Sequence, residues 1–149
     1  MPKAIAKINK IPNVSLYYTQ PDYLEEVNDA IKKHEYFKAF TLCNSLYESF
    51  GKNILVAHFK EHHLSLNSKR IEKLGIHSVI LMLYTHKLIE EGTYSQMLSV
   101  NSVRNDLVHR YMPSMMSEGI LNKIKQNTPN IMRSLRKLNE IKVRFASFF

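Results

Sequence analysis

Apolar side chains recur every three or four positions from Leu24 to Phe50, which is the spacing of one face of an α-helix. The pattern predicts helix over residues 21–50, either as one helix or as two helices that break near His34. Gly51 follows the last apolar residue of this stretch, and glycine is common just past a helix C-terminus. We therefore expect the helix to end there.

Helical spacing returns from Ile71 to Ile89, after a short apolar piece and a polar hinge over residues 61–70. Thr93 is a residue type that caps helix N-termini, and a further apolar stripe begins behind it. This stripe reaches Tyr111. The middle of the chain thus predicts two more helical segments.

Prolines divide the last third of the chain. Pro113 follows the third stripe, and the residue before a proline disfavours helical geometry. Pro129 interrupts the remaining helical pattern, so we expect a two-part closing helix over about 114–126 and 130–147. The apolar positions of its second part repeat at helical spacing.

These elements predict one all-α domain, an up-and-down helical bundle of four to five helices over residues 21–149. Residues 1–20 contain two prolines and no sustained periodicity, so we expect an extended or flexible N-terminal arm. Four glycines in 149 residues disfavour folds that need many tight turns or a glycine-rich phosphate loop.

The chain carries 21 Lys and Arg against 13 Asp and Glu, a formal net charge of +8. A surplus of this size on a small domain favours a polyanionic partner, with RNA or DNA first. The single cysteine, Cys43, excludes an internal disulfide and stands among apolar residues, as a buried side chain would. We find no secretory signal and no membrane-spanning run, so a cytoplasmic location is expected.

The segment from Arg104 to Tyr111 carries the strongest functional signal. Arg104 and His109 are five positions apart, and on an ideal helix this leaves them about 140° apart around the axis. A site that uses both needs a helix end or a second subunit. Asn105 and His109, four positions apart, share one helix face.

This segment resembles the signature of the HEPN superfamily, in which an Arg, followed by Asn, precedes a His by five to seven positions and an apolar pair stands before the His. Tyr111, two positions after the His, matches the narrower form in HEPN toxins that are paired with minimal nucleotidyltransferase antitoxins. The resemblance covers about residues 21–149.

The resemblance implies a homodimer that brings two copies of the motif into one cleft and cleaves RNA there without a metal or other cofactor. Arg104, Asn105 and His109 would be the catalytic residues. In the toxin branch the residue corresponding to Tyr111 is an acceptor for adenylylation by the partner nucleotidyltransferase, which silences the cleft. The equally open alternative is that Tyr111 only packs beside Met112.

The residue types suit that chemistry. RNA supplies its own nucleophile, the 2′-hydroxyl, so cleavage needs proton transfer and charge stabilisation. Histidine exchanges protons near neutral pH, and His109 would do so here. The guanidinium of Arg104 can fork onto phosphate oxygens. Asn105 can orient the imidazole or donate to phosphate.

Other basic side chains are weaker candidates for RNA contacts. They follow the motif or lie off the apolar stripe of the closing helix: Arg110, Arg133, Arg136 and Lys137. A basic helix face can track phosphates, although a solvated surface has the same composition. A HEPN module without catalysis, which binds nucleotide, RNA or a partner protein, is the second hypothesis.

A competing motif is His58-Phe59-Lys60-Glu61-His62, which has the H-x-x-E-H pattern of inverted zinc peptidases. Two histidines four positions apart could bind zinc, and Glu61 could activate water. Those peptidases place strands before the motif helix, and the pattern here predicts none. We therefore expect no metal site, with His58 and His62 as the weak candidates for one.

Overall fold

The computed structural model describes residues 22–62, 68–110 and 117–146, with Arg110 described by its backbone alone. The described residues form six helices and no strand. These are α1 (Tyr23–Lys32), α2 (Tyr36–Glu61), α3 (Ser68–Glu72), α4 (Ile76–Thr85), α5 (Glu91–Arg110) and α6 (Glu118–Arg144). The predicted all-α bundle is confirmed, with the five-residue α3 added to five longer helices. The predicted arm, residues 1–20, lies outside the described residues.

The stretch predicted over residues 21–50 divides at His34 into two helices. The backbone of His34 is left-handed, with φ of 59°. The N–H of Glu35 donates to the carbonyl of Ala30 over 2.8 Å, and the N–H of His34 donates to that of Ile31 over 3.0 Å. This pair of hydrogen bonds is a Schellman motif, which satisfies the last carbonyls of α1 and turns the chain into α2.

The expected helix end at Gly51 is wrong, because α2 continues to Glu61. Gly51 is buried where α2 meets α4. A Cβ atom at this position would overlap Cγ1 of Val79 and lie 3.2 Å from Cδ1 of Leu83. The glycine therefore allows two helices to approach closely and does not end one.

The expected N-cap at Thr93 is also wrong. The N–H of Tyr94 donates to the carbonyl of Glu90 over 2.9 Å, so α5 begins two residues earlier, at Glu91. Thr93 lies inside the first turn and is buried. The turn that follows α4, like the turn that follows α1, contains a residue with left-handed backbone, Lys87.

Pro129 does not divide the closing helix, since α6 runs without a break from Glu118 to Arg144. Hydrogen bonds from side chains support the turn around it. Thr128 Oγ1 donates to the carbonyl of Ile124 over 2.6 Å, and Asn127 Nδ2 donates to that of Lys123 over 2.9 Å. The buried stripe continues on both sides of the proline, so core packing holds the two halves in one helix.

The core lies where α2, α5 and α6 pack against one another, with α1 and α4 at its sides. Its largest fully buried side chains include Tyr47, Phe40, Met97, Leu107 and Leu135. Asp106 of α5 and Lys123 of α6 form an ion pair of 3.0 Å. The two helices are antiparallel, because the start of α5 instead faces residues 133–140.

Candidate functional site

The motif residues lie in the last two turns of α5. Arg104 is partly buried, whereas Asn105 and His109 are exposed. Nη1 of Arg104 donates to Oδ1 of Asn105 over 3.3 Å. The structure thus brings Arg104 and Asn105 into contact and leaves the imidazole of His109 facing solvent.

Arg104 and His109 occupy different sides of α5. Arg104 lies among the buried positions Val100, Val103 and Leu107, while His109 is exposed on the far side of the helix. The angle of about 140° expected from helical geometry is therefore retained in the fold. One copy of α5 does not direct the two side chains at the same point.

Tyr111 lies outside the described residues, and no side chain of Arg110 is described. The other exposed feature near the motif is apolar. Val108 on α5 is 42% exposed and Leu121 on α6 is 48% exposed, although both are large hydrophobic residues. The end of the bundle that carries the motif thus presents charged, polar and apolar groups together.

A groove of about 410 Å³ lies beside the motif. It is bounded by residues 34–38 at the α1–α2 turn, by Leu107 of α5 and by Leu121 and Ile124 of α6. Lys38 supplies a cationic group at its edge and Glu35 an anionic one. A groove of this kind can admit a flexible ligand next to the end of α5.

Sequence reasoning missed a buried polar layer next to Arg104. Nδ2 of Asn44 on α2 donates to Oδ1 of Asn101 on α5 over 2.9 Å, and both side chains are buried. Asn101 is one helical turn before Arg104 and interrupts the apolar stripe of α5. That interruption is the signal in the sequence that could have identified it.

Three of the basic side chains proposed for RNA contacts are exposed on α6 at the opposite end of α5. Arg133, Arg136 and Lys137 border a groove of about 380 Å³ that also meets the first turns of α5. Glu90 and Glu140 border the same groove, so its charge is mixed. The structure does not place these side chains next to the motif.

His58 of the H-x-x-E-H motif lies in the last turn of α2, and His62 directly follows that helix. The ring of His58 makes edge-on contacts with the rings of His62 and of His86, which follows α4. The ring centroid of His58 is 4.5 Å from that of His62 and 5.3 Å from that of His86. Burial and the two neighbouring imidazoles lower the pKa of His58, while Glu61 acts in the opposite direction. No group of three or more His, Cys, Asp or Glu within the described ranges is placed to hold a metal ion.

Cys43 has the surroundings of a core residue. It is fully buried, and burial raises the pKa of its thiol to about 12. The thiolate, which is the nucleophilic form, is thus disfavoured at neutral pH. The hydroxyl of the neighbouring Tyr47 is hydrogen-bonded to that of Ser134 on α6.

No protein-family model matches this chain, and no curated protein or solved structure is detectably similar to it. None of the described helices has both the length and the apolar character needed to span a membrane.

Proposed function

We propose that this protein is a metal-independent endoribonuclease of the HEPN type, in which two copies of the motif form one cleft in a homodimer. The observation that supports the proposal is the arrangement of Arg104, Asn105 and His109 at one end of α5. Arg104 emerges from the core in contact with Asn105, while His109 projects into solvent. Exposed apolar groups at the same end, Val108 and Leu121, suit contact with a second copy.

The dimer supplies what one chain lacks. Arg104 and His109 of a single α5 point in different directions, but two helices related by a two-fold axis can face each other with two arginines and two histidines between them. The reacting phosphate then meets Arg104 and two His109 side chains, one from each copy.

In the proposed reaction the imidazole of one His109 takes the proton of the RNA 2′-hydroxyl. The 2′-oxygen attacks phosphorus, and the bond from phosphorus to the 5′-oxygen breaks. The leaving 5′-oxygen receives a proton from the second His109, which is protonated at the start. Arg104 stabilises the charge that develops on the nonbridging oxygens. The products are a 2′,3′-cyclic phosphate, which water opens to a 3′-phosphate, and a 5′-hydroxyl.

The role in the cell that we propose is that of a toxin or defence protein with a cognate nucleotidyltransferase antitoxin. Tyr111 would then be the acceptor for adenylylation. The added nucleotide would silence the cleft, because it would bring bulk and negative charge there. Arg110, Arg133, Arg136 and Lys137 would contribute weaker contacts to the RNA backbone. We further propose a cytoplasmic location, where RNA substrates are present.

Incubation of the purified protein with RNA in EDTA tests the activity. His109→Ala and Arg104→Ala should each lower the cleavage rate by about 10²- to 10⁴-fold. Arg104→Lys should restore little activity, because an ammonium group cannot fork onto two oxygens. His77→Ala, which removes an exposed histidine of α4, is the matched control.

Three outcomes contradict parts of the proposal. Cleavage that persists in His109→Ala removes the assigned proton carrier. A strict monomer at micromolar concentration in analytical ultracentrifugation removes the composite cleft and favours a non-catalytic binding module. If cleavage needs metal and is lost when His58 and His62 are both changed to Ala, the zinc hypothesis is restored.

A further inference from the structure

Three buried side-chain atoms have no hydrogen-bond partner among the described residues: Thr41 Oγ1, Asn44 Oδ1 and Arg104 Nε. Two belong to α2 and one to α5. Buried polar atoms are almost always paired in folded proteins, so unpaired ones need an explanation. All three lie on two helices that pack together, and one of them belongs to the motif arginine.

The hydrogen bond between Asn44 and Asn101 fixes which turns of α2 and α5 face each other. The two helices are antiparallel, because the C-terminal end of α2 packs beside His86, just before α5 begins. A step of one turn toward the N-terminus of α2 therefore matches a step of one turn toward the C-terminus of α5. These steps lead from Asn44 to Thr41 and from Asn101 to Arg104.

The three atoms have complementary chemistry. The Nε–H of an arginine is a donor, while a threonine hydroxyl and an amide oxygen are acceptors. The register set by Asn44 and Asn101 thus places Thr41 and Asn44 on the turns of α2 that face the turn of Arg104.

We propose that Thr41 and Asn44 form a buried positioning site that accepts the Nε–H of Arg104 and holds its guanidinium. The bond between Asn44 and Asn101 keeps the two helix turns in register. Nη1 is held on the outer side by Asn105. The arginine is then fixed at both ends of its planar group, with the remaining N–H groups directed outward.

The functional consequence rests on the proposed ribonuclease activity. A guanidinium that is already oriented does not have to be ordered when charge develops on the phosphate, so it acts on the rate of the chemical step. Thr41 and Asn44 touch neither RNA nor its reacting atoms in this proposal. They are positioning residues that act through Arg104.

Solvent exchange of the arginine Hε protons, measured by ¹⁵N NMR on the full chain, tests the contact without any RNA. The Arg104 signal is assigned by its absence in Arg104→Lys. Thr41→Val should raise the exchange rate of that proton about tenfold, since one hydrogen bond is lost. Thr41→Ser keeps the hydroxyl and should retain the slow rate. Thr85→Val, which removes a hydroxyl bonded within α4, should leave it unchanged.

An unchanged Arg104 signal in Thr41→Val overturns the proposal. If Thr41→Val does not fold, as judged by circular dichroism, Thr41→Ala makes the same comparison without the added methyl group at a partly buried position. An Hε proton that exchanges as fast in the wild type as in free arginine also overturns it.

The cleavage assay then tests the consequence. Thr41→Val should lower kcat about tenfold with KM unchanged, and Thr41→Ser should restore kcat. If Thr41→Val raises the exchange rate of the Arg104 proton but leaves kcat unaltered, the contact exists and the positioning role is overturned. If the wild-type protein cleaves no RNA, the proposed function fails, while the exchange measurement still decides whether the contact exists.

Discussion

Nδ2 of Asn44 lies 2.9 Å from Oδ1 of Asn101, and this buried hydrogen bond joins α2 to α5 in the interior of the bundle. A polar pair in such a place specifies how two helices align, because any other register would leave both amides unpaired. The alignment in turn sets where Arg104 leaves the core. The fold of the interior and the candidate site are thus linked through one side-chain contact.

A double-mutant cycle measures that link. Asn101→Ala should lower the free energy of unfolding by about 1–3 kcal/mol, because the amide of Asn44 is then buried without its acceptor. Asn44→Ala should cost a similar amount. The double variant should cost less than the two single variants together, since both ends of the bond are removed. Urea denaturation monitored by circular dichroism gives the three values, and strict additivity would contradict the assigned contact.

Gly51 provides a test of the close packing between α2 and α4. Alanine favours a helix interior over glycine by about 1 kcal/mol, so helix propensity alone predicts that Gly51→Ala stabilises the protein. The added methyl group would instead overlap Val79, which is fully buried, and we expect a net loss of about 1–3 kcal/mol. Gly92→Ala, in the first turns of α5 with open space around its Cβ, is the matched control. A Gly51→Ala variant with a raised Tm would show that α4 can move away.

His34 and Lys87, the two left-handed residues that follow α1 and α4, allow a direct comparison of the effect of a glycine substitution on stability. Lys87→Gly should stabilise the protein by about 0.5–1 kcal/mol, because glycine adopts positive φ without a steric cost. His34→Gly gains the same backbone relief but loses the hydrogen bond of 2.7 Å between Nδ1 of His34 and the hydroxyl of Tyr36. Thermal unfolding should therefore rank Lys87→Gly above His34→Gly. Equal gains in Tm for the two variants would mean that the bond to Tyr36 contributes nothing to stability.

The cluster of His58, His62 and His86 should make stability depend on pH. Because the pKa of His58 is lowered in the folded protein, the unfolded chain binds a proton more readily. The stabilisation is thus complete above the ordinary histidine pKa of about 6.5. The stabilisation decreases as the pH falls below that value, and the decrease is complete once the pH is below the lowered pKa of His58 in the folded state.

Urea denaturation at several pH values between about 5 and 7.5, on either side of the ordinary histidine pKa, checks this expectation. His58→Gln should flatten the dependence, since glutamine keeps polarity and removes the titration. His77→Gln, at an exposed position of α4, should leave the dependence as in the wild type. Equal slopes in all three proteins would assign the pH dependence to other groups.

The sequence by itself determined the fold class and most of the core. The apolar stripes of α1, α5 and α6 appear directly as positions three or four apart, because burying one helix face requires that spacing. The sequence also identified the motif and predicted the angle between Arg104 and His109 around the axis of α5, because that angle follows from their spacing along one helix. The helix ends at Gly51 and Thr93 and the break at Pro129 were predicted from local residue type, and they were wrong.

Only the tertiary structure decided those points, because each depends on a neighbour that is distant in the chain. Gly51 lacks a side chain that would overlap Val79 of α4. The turn at Pro129 is held by the packing of α6 on both sides of the proline. The pairing of Asn44 with Asn101 joins residues 57 positions apart, which no local pattern specifies. Local propensities are worth about 1 kcal/mol or less per residue, apart from proline, and the packing of a helix face outweighs them.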